Sequence, residues 1–63
     1  MPLVKVEMWS GRTTEQKEKI IQNVTKAICD SVGCPKDAVW VVIEDVPKEN
    51  WGMNGEQCSK SKP

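Results

Sequence analysis

Histidine is absent from this 63-residue chain. That removes the side chain whose ordinary pKa lies nearest neutrality, which is also the commonest metal ligand. Any general base near neutral pH must therefore be another group. Cysteine is scarce, at Cys29, Cys34 and Cys58. An odd count with no secretory signal pattern ahead of it argues against a disulfide framework and for a reducing, cytoplasmic setting. Cys29 and Cys34 are not at zinc-finger spacing, so three structural thiols, no metal and no cofactor are expected. Charge of one sign is also missing. Nine basic and nine acidic residues cancel, which leaves no electrostatic footprint for nucleic acid or an anionic membrane. The apolar run from Val39 to Ile43 falls far short of the ~20 residues of a membrane span. The Lys60-Ser61-Lys62-Pro63 end reads as a solvated, frayed tail.

Length is the remaining shortage. A chain of this size buries only ~60% of the surface exposed when unfolded. Small folds usually add disulfides, a metal or partner chains, and composition leaves partner chains. One domain, residues 1–63, is expected. No internal repeat or linker interrupts it.

Leu3 to Trp9 alternates, with Val4, Val6 and Met8 on one face and Leu3, Lys5, Glu7 and Trp9 on the other. This is the pattern of a half-buried strand. Ser10-Gly11-Arg12 reads as a loop. Thr13 stands three residues before Gln16, the spacing of a capping box. From Thr14 to about Val32, Ile20, Ile21, Val24, Ala27, Ile28 and Val32 recur at steps that make one helical stripe. Gly33 suits the position after the helix end, and Pro35 prevents continuation. Ala38 to Val46 is rich in β-branched residues and predicts a second strand. Its continuous apolar stretch predicts cover on both faces. Pro47 ends it, and Asn54-Gly55 predicts a short C-terminal hairpin.

The order β-α-β makes the two long strands parallel, with a right-handed crossover. The predicted class is α/β: a single β-α-β unit with a short C-terminal hairpin. Two strands and one helix leave a sheet face bare, with Trp40 and Val42 pointing outward. Other chains are expected to complete the sheet by oligomerisation.

Three residues carry candidate chemistry on their own account. Removal of Met1 would expose Pro2 as a secondary amine at the start of a strand. A free α-amine has a pKa of about 8, and desolvation or nearby cations lower it. Such an amine can take and return a proton near neutral pH. Arg12 is the single arginine, in the loop before the helix, where a planar guanidinium can hold a carboxylate through two hydrogen bonds. Trp51 is a large apolar side chain in a turn-rich segment, suited to walling a pocket or covering the core. Trp9 and Trp40 are assigned to the core or to interfaces. Glu7, Glu44, Asp45 and Glu56 form no catalytic pair or metal spacing, and surface or ion-pair roles are expected for them.

Met1-Pro2, Gly11-Arg12-Thr13-Thr14-Glu15-Gln16-Lys17, the β-α-β plan and Trp51-Gly52-Met53-Asn54-Gly55-Glu56 together resemble the 4-oxalocrotonate tautomerase family over nearly the whole chain. The resemblance implies a cofactor-independent isomerase of aromatic-compound catabolism, active on 2-hydroxymuconate-like dienols or related 2-oxo acids. In that family the amino-terminal proline, matched by Pro2, is the general base and acid. Arg12 matches an arginine that binds the far carboxylate. Trp51 falls where the tautomerase has phenylalanine, which makes the pocket apolar. The family's active unit is a hexamer built from dimers, with sites shared between subunits.

One departure stands out. Trp40 occupies the position of a second arginine that holds the near carboxylate and 2-oxygen. A tryptophan donates one N–H and carries no charge, so a bulkier, more apolar or monocarboxylate enol is expected. The alternatives are a weak or silent subunit that pairs with a different homologous chain, and a hydratase or dehalogenase on the same scaffold. The family includes trans-3-chloroacrylic acid dehalogenase, and Met53 stands where that enzyme has its water-activating glutamate, which disfavours the dehalogenase.

Overall fold

A computed structural model describes residues 2–60. Met1, whose removal is at issue above, and residues 61–63 of the expected frayed tail lie outside the described residues. The elements are strand β1 (Leu3–Trp9), helix α1 (Thr14–Val32), strand β2 (Trp40–Val46), and the short strands β3 (Gly52–Met53) and β4 (Glu56–Gln57). One-turn 3-10 helices cover Lys36–Ala38, Lys48–Asn50 and Cys58–Lys60.

Local chemistry sets most boundaries. The Gln16 N–H donates to Thr13 Oγ1 at 3.0 Å, and the Thr13 N–H donates to Gln16 Oε1 at 2.9 Å. Two donors that a helix start would otherwise leave unpaired are thereby satisfied. Gly33 ends α1 in the left-handed region at φ 83°, and its N–H donates to Cys29 O at 2.8 Å. Asn54 and Gly55 both have positive φ, 56° and 76°, as the tight hairpin turn between β3 and β4 requires.

One boundary differs from expectation. The second strand starts at Trp40, two residues later than predicted. Pro35 opens a turn in which Ala38 N–H donates to Pro35 O and Val39 N–H donates to Lys36 O. These donors are spent locally, so the ladder begins at Trp40, whose N–H donates to Pro2 O at 3.0 Å.

β1 and β2 pair in parallel, with Leu3 opposite Trp40, Lys5 opposite Val42, Glu7 opposite Glu44 and Trp9 opposite Val46. Val4, Val6, Met8, Val41 and Ile43 are half-buried on the helix side. Ile20, Val24 and Ile28 of α1 are half-buried with them, while Ile21 and Val32 of the same predicted stripe stay exposed. A helix ~10–12 Å across is wider than two strands ~4.8 Å apart, so its flanks overhang the sheet. Lys17 of α1 pairs with Asp45 at the far end of β2.

The opposite sheet face is open. Leu3 is 63% exposed, Trp40 57% and Val42 46%. The expectation that β2 is covered on both faces is therefore not met within one chain. Only Val39 and Cys58 are buried among the described residues. The accessible surface is 5055 Å², against roughly 4,100 Å² for a compact monomer of this mass. The excess is comparable to the ~800 Å² that one protein contributes to a standard interface.

Candidate active site

Parallel pairing places Pro2 and Trp40 side by side. Pro2 leads into β1, is half-buried, and its carbonyl accepts the Trp40 N–H. The indole of Trp40 and the side chain of Leu3 share the open sheet face. This end of the sheet carries a candidate base beside an apolar surface, and Lys5, the nearest lysine on that face, pairs with Glu44.

Arg12 and Trp51 lie at the other end. Arg12 is exposed, directly before the cap residue Thr13. Trp51 meets Trp9 edge to face, with ring centroids 6.0 Å apart and planes at 83°. Lys48 Nζ lies 4.7 Å from the Trp9 ring centroid, within cation–π range. Backbone bonds hold this cluster: the Trp51 N–H donates to Lys48 O, and the Cys58 N–H donates to Trp51 O at 2.8 Å. Trp9 Nε1 is buried with no hydrogen-bond partner. Trp9 and Lys48 are thus placed beside the predicted pocket residue Trp51, although sequence reading gave Trp9 to the core or interfaces. The signal was the alternation of β1, which puts Trp9 on the open face. What covers it there comes from 42 residues further along.

The two groups do not meet within one chain. β1 spans about 20 Å at ~3.3 Å per residue, with Pro2 before its first residue and Arg12 beyond its last. A six-carbon diacid is far shorter than that. Pro2 and Arg12 can hold one substrate only if they come from different copies.

Charges between the two ends are arranged locally. Glu7 and Glu44 face each other across the ladder, a repulsive arrangement. Lys5 Nζ approaches Glu44 Oε1 at 3.2 Å. The hydrogen bond to Glu44, then the charges of Glu44 and Glu7, raise the Lys5 pKa above its ordinary value. Glu44 and Asp45 are ion-pair residues, as expected. Met53 is exposed on β3. A groove of about 600 Å³ runs beside Ile21, Thr25 and Cys29 of α1 and contains none of Pro2, Arg12, Trp40 and Trp51. Among the described residues no group of side chains could hold a metal ion, and no helix is long and apolar enough to cross a membrane.

A β-α-β chain with proline ahead of its first strand, arginine after it and a tryptophan just before its hairpin shares the plan of the small isomerases that its sequence resembles. The chain belongs to the tautomerase family, whose model for tautomerase enzymes matches residues 2–61. It is similar to the 2-hydroxymuconate tautomerase of Comamonas testosteroni, 49% identical over 55 residues that cover 87% of each chain. Among solved structures it resembles a 4-oxalocrotonate tautomerase isozyme of Methylibium petroleiphilum, with 46% identity, a TM-score of 0.89 and coverage of 92% and 94% of the two chains. It also resembles a heterohexameric 4-oxalocrotonate tautomerase of Chloroflexus aurantiacus, at 27% identity, TM-score 0.93 and coverage of 98% and 100%. The activity of this chain is that of a tautomerase, an isomerase.

Proposed function

We propose that this chain is a cofactor-independent keto–enol tautomerase whose base and acid is the amino-terminal nitrogen of Pro2, free after Met1 is removed. The substrate is a 2-hydroxymuconate-like dienol or a related 2-oxo acid. The neutral amine takes the proton of the enol 2-hydroxyl. The electron pair moves along the diene, and the ammonium delivers the proton to the distal carbon to give the conjugated 2-oxo-3-enoate. Arg12 of a neighbouring copy binds the far carboxylate and draws electron density toward it. Trp51 and Trp40 supply apolar walls. The observation that carries this reading is the position of Pro2 at the head of β1 in a chain of this family, whose match begins at that residue.

The assembly is an oligomer, a hexamer in our reading, and the open face of Leu3, Trp40 and Val42 is where it closes. The separation of Pro2 from Arg12 supports sites shared between copies. Location in the cytoplasm follows from this reading and from the free thiols.

Mixing tests it. Pro2→Ala and Arg12→Ala variants are each expected to ketonise 2-hydroxymuconate poorly. Unfolded together and refolded, they should regain part of the lost activity, because some sites then combine an intact Pro2 with an intact Arg12. Both variants active alone would remove the assigned chemistry. Two inactive variants with no recovery on mixing would place both groups in one chain's site and refute the shared arrangement.

Trp40 favours a second reading, in which a different homologous chain supplies a cation at that position. The chain would then be silent by itself on a dicarboxylate enol and active only when co-expressed with such a partner.

A further inference from the structure

The end of α1 carries a feature that the tautomerase reading does not use. Gly33 closes the helix with one bond from its N–H to Cys29 O. In this left-handed cap the residue after the glycine folds back onto the residue that accepts the bond, and the two side chains commonly touch. Here those positions are Cys34 and Cys29. The Cys34 thiol is near enough to raise the pKa of Cys29, and both are half-exposed and free. Cys58, by contrast, is buried.

We propose that Cys29 and Cys34 form an oxidation site, a dithiol that a small disulfide of the glutathione class converts to an intrachain disulfide across the helix cap. The thiolate of one cysteine attacks the small disulfide, releases one molecule of small thiol and leaves a mixed disulfide. The second cysteine loses its proton and attacks the protein sulfur, releasing the second small thiol. The protein loses two hydrogens and two electrons, and the oxidant gains them.

Burial, and then the neighbouring Cys34 thiol, raise the Cys29 pKa. Cys29 is therefore the poorer first nucleophile and suits the second, intramolecular step, where proximity replaces thiolate fraction. The bond would tie the last turn of α1 to the segment that leads, six residues later, to Trp40 beside Pro2. In a reducing compartment such a bond is transient and reports excess oxidant.

The test uses the assembled, reduced protein and oxidised glutathione, followed by alkylation under denaturing conditions and intact mass. The expected product has lost two hydrogens and retains one alkylatable thiol, Cys58, and dithiothreitol reverses it. Peptide mapping should find Cys29 joined to Cys34. Cys29→Ser and Cys34→Ser should each stop at a mixed disulfide on the remaining cysteine, reached sooner in Cys29→Ser. Three results overturn the proposal: a lasting mixed disulfide in the unaltered protein, bridges between chains, or no thiol consumed in excess oxidant.

Discussion

The open sheet face has two ends that differ in how they are finished. At the Trp9 end the chain covers itself, because Trp51 and Lys48 return to pack on Trp9. At the Pro2 end none of the described residues returns, and Leu3, Trp40 and Val42 stay exposed. Both ends lie on the same two strands and carry apolar residues. The difference is where the chain goes next. After β2 it turns back at Pro47 over the Trp9 end, so the end that starts both strands is left to other copies. The proposed base sits at the unfinished end, and Arg12, the proposed carboxylate-binding residue, at the finished end. The proposed assembly would join two kinds of surface that one chain keeps apart.

The largest expected effect sharpens this division. Pro2→Ala removes the secondary amine, and the rate of 2-hydroxymuconate ketonisation should fall by about 10²–10⁴, the usual contribution of general acid–base catalysis. The Trp9–Trp51 environment should not change, and its tryptophan fluorescence should match that of the unaltered protein. Equal activity in the variant would move the chemistry away from the open end.

Trp40→Arg comes next. It places a guanidinium beside Pro2, where a bidentate contact to a carboxylate is worth about 1.5–3 kcal/mol. We expect kcat/KM for a dicarboxylate enol to rise roughly 10- to 100-fold, at about 1.4 kcal/mol per decade. The value for phenylenolpyruvate should fall or stay level. A loss on both substrates would show that the indole is needed for assembly rather than for substrate choice.

Trp9→Ala probes the finished end. An edge-to-face pair contributes about 0.5–1.5 kcal/mol beyond burial, and a cation–π contact about 0.5–1 kcal/mol. Unfolding free energy from urea titration should drop by about 1–2.5 kcal/mol on these terms. Leu3→Ala at the other end should cost less than ~0.5 kcal/mol if that side chain stays in water. If other copies cover the open face, Leu3→Ala should instead promote dissociation on dilution, measured by sedimentation. A Leu3 variant that neither loses stability nor dissociates would leave the open end uncovered.

Structure is most legible in the sequence where it is local. Thr13 and Gln16, Gly33, and Asn54-Gly55 each act through neighbours a few residues away, and each is found in the predicted role. The start of β2 was misplaced because the turn opened by Pro35 spends the Ala38 and Val39 donors. The β-branched character of that segment gives no sign of this. The helix stripe was legible, but how much of it the sheet could cover depends on strand number, which left Ile21 and Val32 outside. Of the Trp9–Lys48–Trp51 cluster, only the place of Trp9 on the open face is legible, from the alternation of β1. The rest depends on how the segment after Pro47 returns across the sheet, and no spacing in the sequence encodes that. Pro2, Arg12 and Trp51 became candidates through chemistry and family resemblance. Their division between two ends of one strand needed only the observed register.

The smallest expected effect lies midway between the ends, at Lys5. Its ammonium pairs with Glu44, which the register places opposite Glu7. The ion pair is exposed, so its contribution is small and screened by salt. Because the folded pKa of Lys5 is raised, its stabilising effect is fully present below the ordinary lysine value of 10.5 and is lost as pH rises through the folded value. Lys5→Met should therefore lower the urea midpoint slightly at neutral pH. The two proteins should converge at strongly alkaline pH, where Lys5 is neutral in both folded and unfolded chains. A difference that persists there would have to come from packing of the longer side chain against Val42, its partner across the ladder. A difference that grows with protein concentration would place the ion pair under another copy, and would extend the unfinished region from Leu3 to the middle of the sheet.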